Sequence, residues 1–273
     1  MRRAKCFRAT IQNEGGCVNP SSDKIPIARM LCWVSGGAAS AVAASIILRE
    51  APEALLVRCE TGNEDEDNER FERDVERRLN RIVTIIRSEE YDSVPDVWRK
   101  RRYMSGIAGA PCTTEMKIAP RLLFQRPYDI HVFGYTADAG DNARFERLKA
   151  NYPELSIRAP LIETGVTKAS TLAIVEGWGI LLPRTYAMGF PNANCLRTGC
   201  VKATSPDYWA LLRKVFPDRF ATTAALSRDI GARLSRIGDT RVFIDEIPLD
   251  WPTTQPIAPT CDFLCLLASD GDL

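Results

Sequence analysis

Met30-Leu31-Cys32-Trp33-Val34-Ser35-Gly36-Gly37-Ala38-Ala39-Ser40 is the stretch that decides the fold. It opens with an apolar run short enough for a buried strand, and the small, apolar residues 41–48 that follow it are numerous enough for a helix. Gly36 and Gly37 allow a tight turn between the two. Free backbone N–H groups at a helix start, with the hydroxyls of Ser35 and Ser40, predict a cradle for an anion such as phosphate. An ordinary Gly-Gly turn in a β-α unit remains the alternative, because a glycine-rich loop alone is a weak signal.

The composition is that of an ordinary globular protein. The chain has 273 residues, of which 45% are hydrophobic and 26% charged, enough for one large domain or one domain with a subdomain. Its net charge of +1 gives no overall basic field that would favour nucleic acid or membrane, although residues 99–102 form a local basic patch. No stretch reaches the roughly 18 apolar residues of a membrane helix, and no apolar segment of a secretory signal follows the basic N-terminus. We therefore expect a cytoplasmic protein without a membrane partner.

Strand and helix patterns alternate from the glycine loop onward. Strands are predicted at 54–58, 82–86, 129–133 and 156–162, and helices at 65–80, 94–102 and from a Thr167 cap to about 177. This alternation predicts an α/β fold with an open, mostly parallel, twisted sheet and helices on both faces. His131 falls inside the fourth of these five strands, where a packed core residue is the expected role.

Three segments follow from the change of pattern along the chain. We expect residues 1–25 to form an irregular extension and 26–181 a nucleotide-binding α/β domain. Residues 182–273 would form a C-terminal helical, cysteine-bearing region with helices at 206–215 and 219–236.

Grouped cysteines suggest a metal centre. The chain has nine cysteines and a single histidine, and the cysteines group as Cys112, Cys195 with Cys200, and Cys261 with Cys265. In a reducing compartment, grouped thiols indicate metal binding rather than disulfides. Thiolates select zinc or an iron–sulfur cluster. Because the chain has a single histidine, zinc sites that need histidine ligands are disfavoured, which leaves a four-cysteine zinc site or a [4Fe–4S] cluster. The spacing does not choose between these, and free thiols in loops are the third alternative.

The loop Ser35-Gly36-Gly37-x-x-Ser40 resembles the PP-loop of the N-type ATP pyrophosphatases and the PAPS reductase family, in the adenine nucleotide alpha hydrolase-like superfamily. Ala38 and Ala39 stand where relatives carry Lys and Asp. The likeness covers roughly residues 29–215 and extends to other passages. These are Glu60-Thr61-Gly62 (a "DTG" turn in relatives), Cys112 with Lys117 and Pro120, residues 160–168, and the block 194–202, which is similar to the "NC…GCVK" block of bacterial and phage PAPS-reductase-like proteins.

The resemblance implies that the protein binds ATP or an adenylyl sulfate (APS or PAPS). Carried over position by position, the implied nucleotide-binding residues are Ser35, Gly36, Gly37, Ser40, Thr61, Gly62, Lys117, Gly134, Tyr135, Asp141, Arg144 and Arg147. From the residues alone, each of the charged ones could equally be an ordinary surface residue.

The resemblance also implies a [4Fe–4S] cluster, with zinc as the alternative metal. Its ligands would be Cys112, Cys195 and Cys200, with Cys261 or Cys265 as the fourth. The implied activity is sulfur transfer after adenylation, with a nucleic-acid acceptor and a sulfur-donor protein, or reduction of a sulfonucleotide; no catalytic residue is assigned. A different class stays open: a non-catalytic nucleotide-binding or zinc-stabilised accessory protein, as the two alanines in the loop would suit.

Overall fold

Five parallel strands form an open sheet in the computed structural model, which describes residues 28–107 and 109–253. The strands are β1 (Met30–Trp33), β2 (Leu55–Cys59), β3 (Val83–Ile86), β4 (Ile130–Phe133) and β5 (Ser156–Arg158). Their order across the sheet is β3-β2-β1-β4-β5. The predicted open, parallel α/β fold is thereby confirmed.

Helices connect the strands and continue beyond the sheet. They are α1 (Ala38–Glu50), α2 (Asp67–Leu79), α3 (Val94–Arg101), α4 (Ala119–Phe124), α5 (Ala139–Asn151), α6 (Lys168–Gly177), α7 (Pro206–Val215) and α8 (Pro217–Ile230). Shorter helical turns span Pro111–Thr113, Pro160–Glu163, Arg184–Ala187 and Ile244–Glu246, and a π-helix spans Thr114–Ile118. A separate two-stranded antiparallel sheet is formed by β6 (Ser235–Ile237) and β7 (Thr240–Val242). The predicted Thr167 cap is present, because its hydroxyl accepts a hydrogen bond from the backbone N–H of Ser170.

Both faces of the sheet are buried. On one face, Cys32, Leu56 and Val132 lie side by side in register and pack against Ala44 and Ile47 of α1. This layer, together with the cluster that α1 forms with α2 and α6, is called the sheet core below. The alternating residues Leu31, Val57 and His131 point to the opposite face and are also buried. Buried strands with apolar side chains on both faces are what a parallel sheet requires.

A second core lies outside the sheet. It combines residues from two separate segments, 91–116 and 188–251. Trp98 and Met116 of the first segment pack in the same cluster as Trp209, Leu211 and Leu212 of the second. The crossover between β3 and β4 is therefore shared with the C-terminal part of the chain, and we call this cluster the second core.

Two predicted boundaries are wrong. The strand predicted at 156–162 ends at Arg158, because Pro160 opens a helical turn with its fixed φ and missing N–H. The helix predicted at 219–236 ends at Ile230, since Gly231 takes a left-handed φ of 80° and closes it.

Within residues 28–107 and 109–253, none of the helices combines the length and the apolar character that crossing a membrane demands.

Candidate functional site

The Ser35–Ser40 loop lies where the strand order reverses. The chain passes from β1 to β2 on one side of β1, whereas β4 lies on the other side. In open α/β sheets such a switch point, at the carboxyl ends of the strands, is where ligands bind. Gly134, which follows β4, touches the loop closely: a Cβ there would lie 2.8 Å from the backbone N and Cα of Ser40. Gly134 is thus needed for the loop to sit against the end of β4.

The loop is held by hydrogen bonds of its own serines and leads directly into the start of α1. The Ser40 hydroxyl accepts a hydrogen bond from the Ser35 N–H at 3.0 Å and donates one to the Gly37 carbonyl at 2.9 Å. Gly36 has a φ of 72°, the left-handed region that favours glycine. No side chain caps α1 and no acidic residue lies in its first turn. The positive end of α1 is therefore not neutralised within its own turn.

An acidic cleft of about 220 Å³ adjoins the loop. It is lined by Ser35, Gly36, Gly62, Asn68 and the charged residues Arg58, Glu60, Glu64, Asp65, Glu69, Glu72 and Arg197. Arg58 pairs with Glu60 at 3.0 Å and with Glu72 at 2.7 Å. Carboxylates outnumber guanidinium groups here, so the acidic cleft favours a neutral or cationic group over a bare phosphate.

The turn at Thr61 and Gly62 is joined to the loop that carries Cys195 and Cys200. Glu64 accepts a hydrogen bond from the backbone N–H of Cys195 at 3.1 Å, and the backbone N–H of Arg197 donates to the Asn63 carbonyl at 3.1 Å. The Asn63 amide also donates to the Thr198 hydroxyl at 2.8 Å. These bonds place the cysteine pair at the same edge of the sheet as the acidic cleft.

Asn68 completes the connection from the Ser35–Ser40 loop to the loop that carries Cys195 and Cys200. Its side-chain Nδ2 donates to the Ala193 carbonyl at 3.1 Å. A Cβ on Gly36 would lie 3.2 Å from that same nitrogen. The residues predicted for nucleotide binding at β1 and β2 and two of the predicted metal ligands thus belong to one continuous region.

Cys112, Cys195 and Cys200 lie close enough to influence one another. Cys195, with a left-handed φ of 64°, shares a hydrogen bond with Cys200, which lowers the pKa of the Cys200 thiol and raises that of Cys195. Burial raises the pKa of Cys112, and the neighbouring Cys200 raises it further. Cys200 thus interacts with Cys195 through a hydrogen bond and with Cys112 electrostatically, and we call these three residues the thiol cluster.

Two lysines, Lys117 and Lys202, act on this thiol cluster, and Lys117 interacts with all three of its cysteines. It belongs to the π-helix 114–118, an uncommon geometry that is frequent at functional sites. Burial alone would lower the pKa of Lys117, but Cys195, Glu64 and Cys200 raise it to about 12. The Cys59 thiol lies 3.6 Å from the backbone carbonyl of Lys117. The ammonium group is thus available to stabilise negative charge on sulfur.

The donor chemistry of the cluster suits a thiophilic metal, since sulfur ligands select zinc or iron–sulfur centres. Among residues 28–107 and 109–253, however, no three or more His, Cys, Asp or Glu side chains are arranged to hold a metal ion. Cys195 and Cys200 are hydrogen-bonded to each other instead. Cys261 and Cys265, the predicted fourth ligands, lie outside the described residues. Metal binding therefore stays a prediction.

The predicted residues beyond β4 are placed differently. Tyr135 packs its ring against Phe145. Asp141 accepts hydrogen bonds from the backbone N–H and the hydroxyl of Thr136, at 3.2 and 2.9 Å, and pairs with the exposed Arg144 at 2.8 Å. Arg147 is also exposed. Asp141 thus folds its own loop, and the structure does not bring Arg144 or Arg147 into the acidic cleft.

Four residues that sequence reasoning did not select take part in this region: Glu64, Asn68, Lys168 and Tyr186. Glu64 and Asn68 follow the end of β2, so their position at the ligand edge of the sheet was a usable signal. Tyr186 had none, because its hydroxyl lies against Gly37 and accepts from the Ala38 N–H, which is 148 residues away in the chain.

The basic patch at 99–102 is largely neutralised. Lys100 pairs with Asp96 at 2.9 Å, Arg101 with Glu115 at 2.8 Å, and Arg102 with Asp229. Because three of its four charges are paired, it offers little to a nucleic acid.

Neither a comparison with protein-family models nor one with curated protein sequences gives a match for this chain.

Proposed function

We propose that the protein binds an adenine nucleotide, ATP or an adenylyl sulfate, at the Ser35–Ser40 loop and uses it in sulfur chemistry at the adjacent thiol cluster. The observation that carries the proposal is the joining of two sites at one sheet edge. The loop at the switch point is connected through Asn68 and Glu64 to the segment that carries Cys195 and Cys200. The resemblance to the PP-loop and PAPS reductase families supports the choice of nucleotide.

Different groups of the chain would bind the phosphate, bind the nucleoside and stabilise charge on sulfur. Backbone N–H groups at the start of α1 and the Ser35 hydroxyl would hold the phosphate, as helix starts do for anions. The acidic cleft would take the uncharged nucleoside, whose ribose hydroxyls can donate to its carboxylates. Lys117 would stabilise negative charge that develops on sulfur, because it interacts electrostatically with both Cys195 and Cys200.

Cys112, Cys195 and Cys200 would hold the metal centre, with Cys261 or Cys265 as the candidate fourth ligand. When bound, a [4Fe–4S] cluster would supply a thiophilic site for a sulfur atom, whereas zinc would make the centre structural. The activity is then sulfur transfer, to a nucleic acid or another acceptor, or reduction of a sulfonucleotide. The alternative class is an accessory protein that binds nucleotide without turnover.

Nucleotide binding is tested with a matched pair of glycine variants. Gly36 and Gly165 both have a left-handed φ, at 72° and 76°, but only Gly36 has a neighbour within 4 Å of an added Cβ. Both alanine variants should carry the same backbone strain. Calorimetric titration with ATP and with adenylyl sulfate should show binding for wild type and Gly165→Ala and a loss of at least tenfold in affinity for Gly36→Ala. Equal affinities in all three would exclude the loop as the site.

Turnover and the metal are tested on protein purified without oxygen. We expect iron and sulfide in wild type and their loss in Cys200→Ala. The control is Cys32→Ala, which removes a thiol that is buried in the sheet core. Pyrophosphate release from ATP, or sulfite release from an adenylyl sulfate with an added dithiol as the two-electron reductant, separates the two activities. Nucleotide binding without either product would assign the accessory role.

A further inference from the structure

Two arginines face each other on the hairpin of β6 and β7. In the antiparallel register, Arg236 lies directly opposite Arg241, next to the pair of Ser235 and Val242. The backbone N–H of Arg236 points away from β7 and donates to the Thr204 carbonyl at 2.9 Å, so the two arginines form a non-hydrogen-bonded pair, in which side chains lie closer. Like charges directly opposite each other destabilise a sheet. The fold of the hairpin itself gives no reason for this pair.

Both arginines lie on the outer face of the hairpin. Ser235 is fully buried, and Ile237 and Val242 pack against the second core, whereas Arg236 and Arg241 are exposed. Side chains alternate between the two faces of a strand, so the two guanidinium groups extend from the same solvent-facing side.

Carboxylates do not neutralise these charges in the part of the chain that the structure describes. Arg233, just before β6, is a third exposed arginine, and Asp239 in the turn is the one acid of the hairpin. None of the three guanidinium groups has a carboxylate oxygen within 4.0 Å in residues 28–107 and 109–253. The acids that follow β7, Asp245 and Glu246, pair with Arg228 instead.

The observed partners of the three arginines are uncharged. Arg241 donates to the Leu234 carbonyl at 3.3 Å, and the guanidinium of Arg233 lies 5.2 Å from the centre of the Phe243 ring. In the basic patch at 99–102, by contrast, three of the four charges are paired with carboxylates. The hairpin therefore keeps its positive charge for an external anion, and the planar guanidinium fork matches phosphate.

This hairpin is joined to the loop that carries Cys200. The Thr204 carbonyl accepts from the N–H of Arg236 and from the hydroxyl of Ser235, at 2.9 and 3.3 Å. Thr204 lies four residues after Cys200, whose carbonyl accepts from the Ala203 N–H at 2.8 Å. An anionic polymer held by the arginines would thus lie beside the thiol cluster.

We infer that the outer face of the β6–β7 hairpin, with Arg233, Arg236 and Arg241, is a docking surface for the phosphate backbone of a nucleic acid. Several neighbouring cations suit a polymer with a phosphate at each step better than they suit a single small anion. The inference rests on the proposed function for its purpose, since it selects nucleic acid among the acceptors left open above. The hairpin lies beyond residues 29–215, so the resemblance does not supply this surface.

Binding is measured by fluorescence anisotropy on the full chain, with a labelled DNA of about 20 nucleotides, as single strand and duplex, and with RNA of the same sequence. Wild type should bind with an affinity that falls as salt rises. Arg236→Ala and Arg241→Ala should each weaken binding about 5- to 10-fold at about 0.1 M salt. Each should also lower the slope of log affinity against log salt by about 0.7 to 0.9, the value of one lost phosphate contact.

Arg99→Ala is the matched control, because it removes an exposed arginine from the other basic patch. It should change neither the affinity nor the salt slope. Arg236→Lys combined with Arg241→Lys keeps both charges and should retain the affinity to within about fivefold, although lysine lacks the planar fork. The double alanine variant should melt at the same or a higher temperature than wild type, because it relieves the like-charge pair.

Four results decide the inference. No oligonucleotide binding by wild type at low salt would overturn it and leave nucleotide binding at the Ser35–Ser40 loop standing. Wild-type affinity in the double alanine variant would place the nucleic acid elsewhere, and a lower melting temperature without rescue by lysine would make the arginines structural. Preference for phosphatidylserine vesicles over oligonucleotides would assign the surface to a membrane. Hairpin-dependent oligonucleotide binding by a protein that binds neither ATP nor adenylyl sulfate would keep the docking surface and remove the proposed function.

Discussion

The sheet core is assembled from consecutive strand–helix units between residues 30 and 177, whereas the second core joins two segments, 91–116 and 188–251, that are distant in the chain. The first presents the Ser35–Ser40 loop, and the second carries Cys112, Cys195 and Cys200 on or beside it. The candidate site lies where the two cores meet. Its chemistry therefore depends on contacts between them more than on either one alone.

The largest effect is expected where the cores are joined. Asp65, at the start of α2, is buried and accepts hydrogen bonds from Arg184 and Arg219, each at 2.8 Å, and these hold its pKa at about 2 despite burial. Arg219 belongs to α8 of the second core. Asp65→Asn should lower the free energy of unfolding by about 3 kcal/mol, because it leaves two guanidinium groups without their buried partner.

Glu66 is the control for this change, since it pairs with the same two arginines but is exposed. Urea unfolding of Glu66→Gln should give a loss of about 0.5 kcal/mol, the usual range for an exposed pair. The junction would be shown not to matter if both variants lost equally little stability.

The two cores also differ in how far sequence reasoning reached. The strand predicted at 82–86 is β3 at Val83–Ile86, and the Thr167 cap is where the pattern placed it. These signals are local, because hydrophobic periodicity and capping depend on neighbours within a few residues. Contacts across the cores are not: Glu64 and Cys195 are 131 residues apart. No local pattern indicates that two such residues meet.

Local sequence patterns also did not show which charged residues lie next to the Ser35–Ser40 loop. The acidic cleft follows β2, as expected for the edge at which ligands bind, whereas Lys168 contacts the hydroxyl of Tyr186, which in turn lies against Gly37. The family resemblance suggested Asp141, Arg144 and Arg147 instead, and in the structure Asp141 binds Thr136 and Arg144. A pattern of charges on a helix does not show which of them face a neighbouring loop.

A smaller effect is expected inside the second core, at Gly199. It has a φ of 79°, and an added Cβ would lie 2.7 Å from the Trp209 ring and 2.8 Å from Leu212. Gly199→Ala should cost about 2 kcal/mol, the sum of backbone strain and overpacking. Gly231→Ala has the same strain, with a φ of 80° and no neighbour within 4 Å, and should cost about 1 kcal/mol. Identical urea midpoints for the two variants would contradict the tight packing beside Cys200.

A second tightly packed glycine, Gly134, lies beside the Ser35–Ser40 loop at the end of β4. Its added Cβ would meet the backbone of Ser40 at 2.8 Å, and backbone cannot rotate away as a side chain can. Gly134→Ala should cost about 1.5 kcal/mol by overpacking and should weaken nucleotide binding, because the loop must move. Gly140→Ala, which has no neighbour within 4 Å, should leave both unchanged. Calorimetric titration beside urea unfolding distinguishes a displaced loop from a merely destabilised sheet.

The smallest effect concerns the one histidine of the chain, which lies in β4 and is buried on the face of the sheet opposite the sheet core. His131 is 1% exposed, as the core prediction required, and its Nδ1 accepts a hydrogen bond from the Trp33 indole N–H at 3.0 Å. Burial, with a smaller contribution from Arg121, lowers its pKa to about 4.

An unfolded histidine titrates near 6.5, so between pH 6.5 and about 4 the unfolded state binds a proton that the native state does not. The contribution of His131 to stability is complete above pH 6.5 and is lost as the pH falls through this window. It should amount to about 1 kcal/mol between pH 7 and 5.5. In His131→Gln, whose amide oxygen can still accept from Trp33, this part of the pH dependence should disappear from urea unfolding curves. If the variant keeps the wild-type slope, the titrating group lies elsewhere; it is not the buried carboxyl of Glu64, because the raised pKa of that group stabilises the native state as the pH falls.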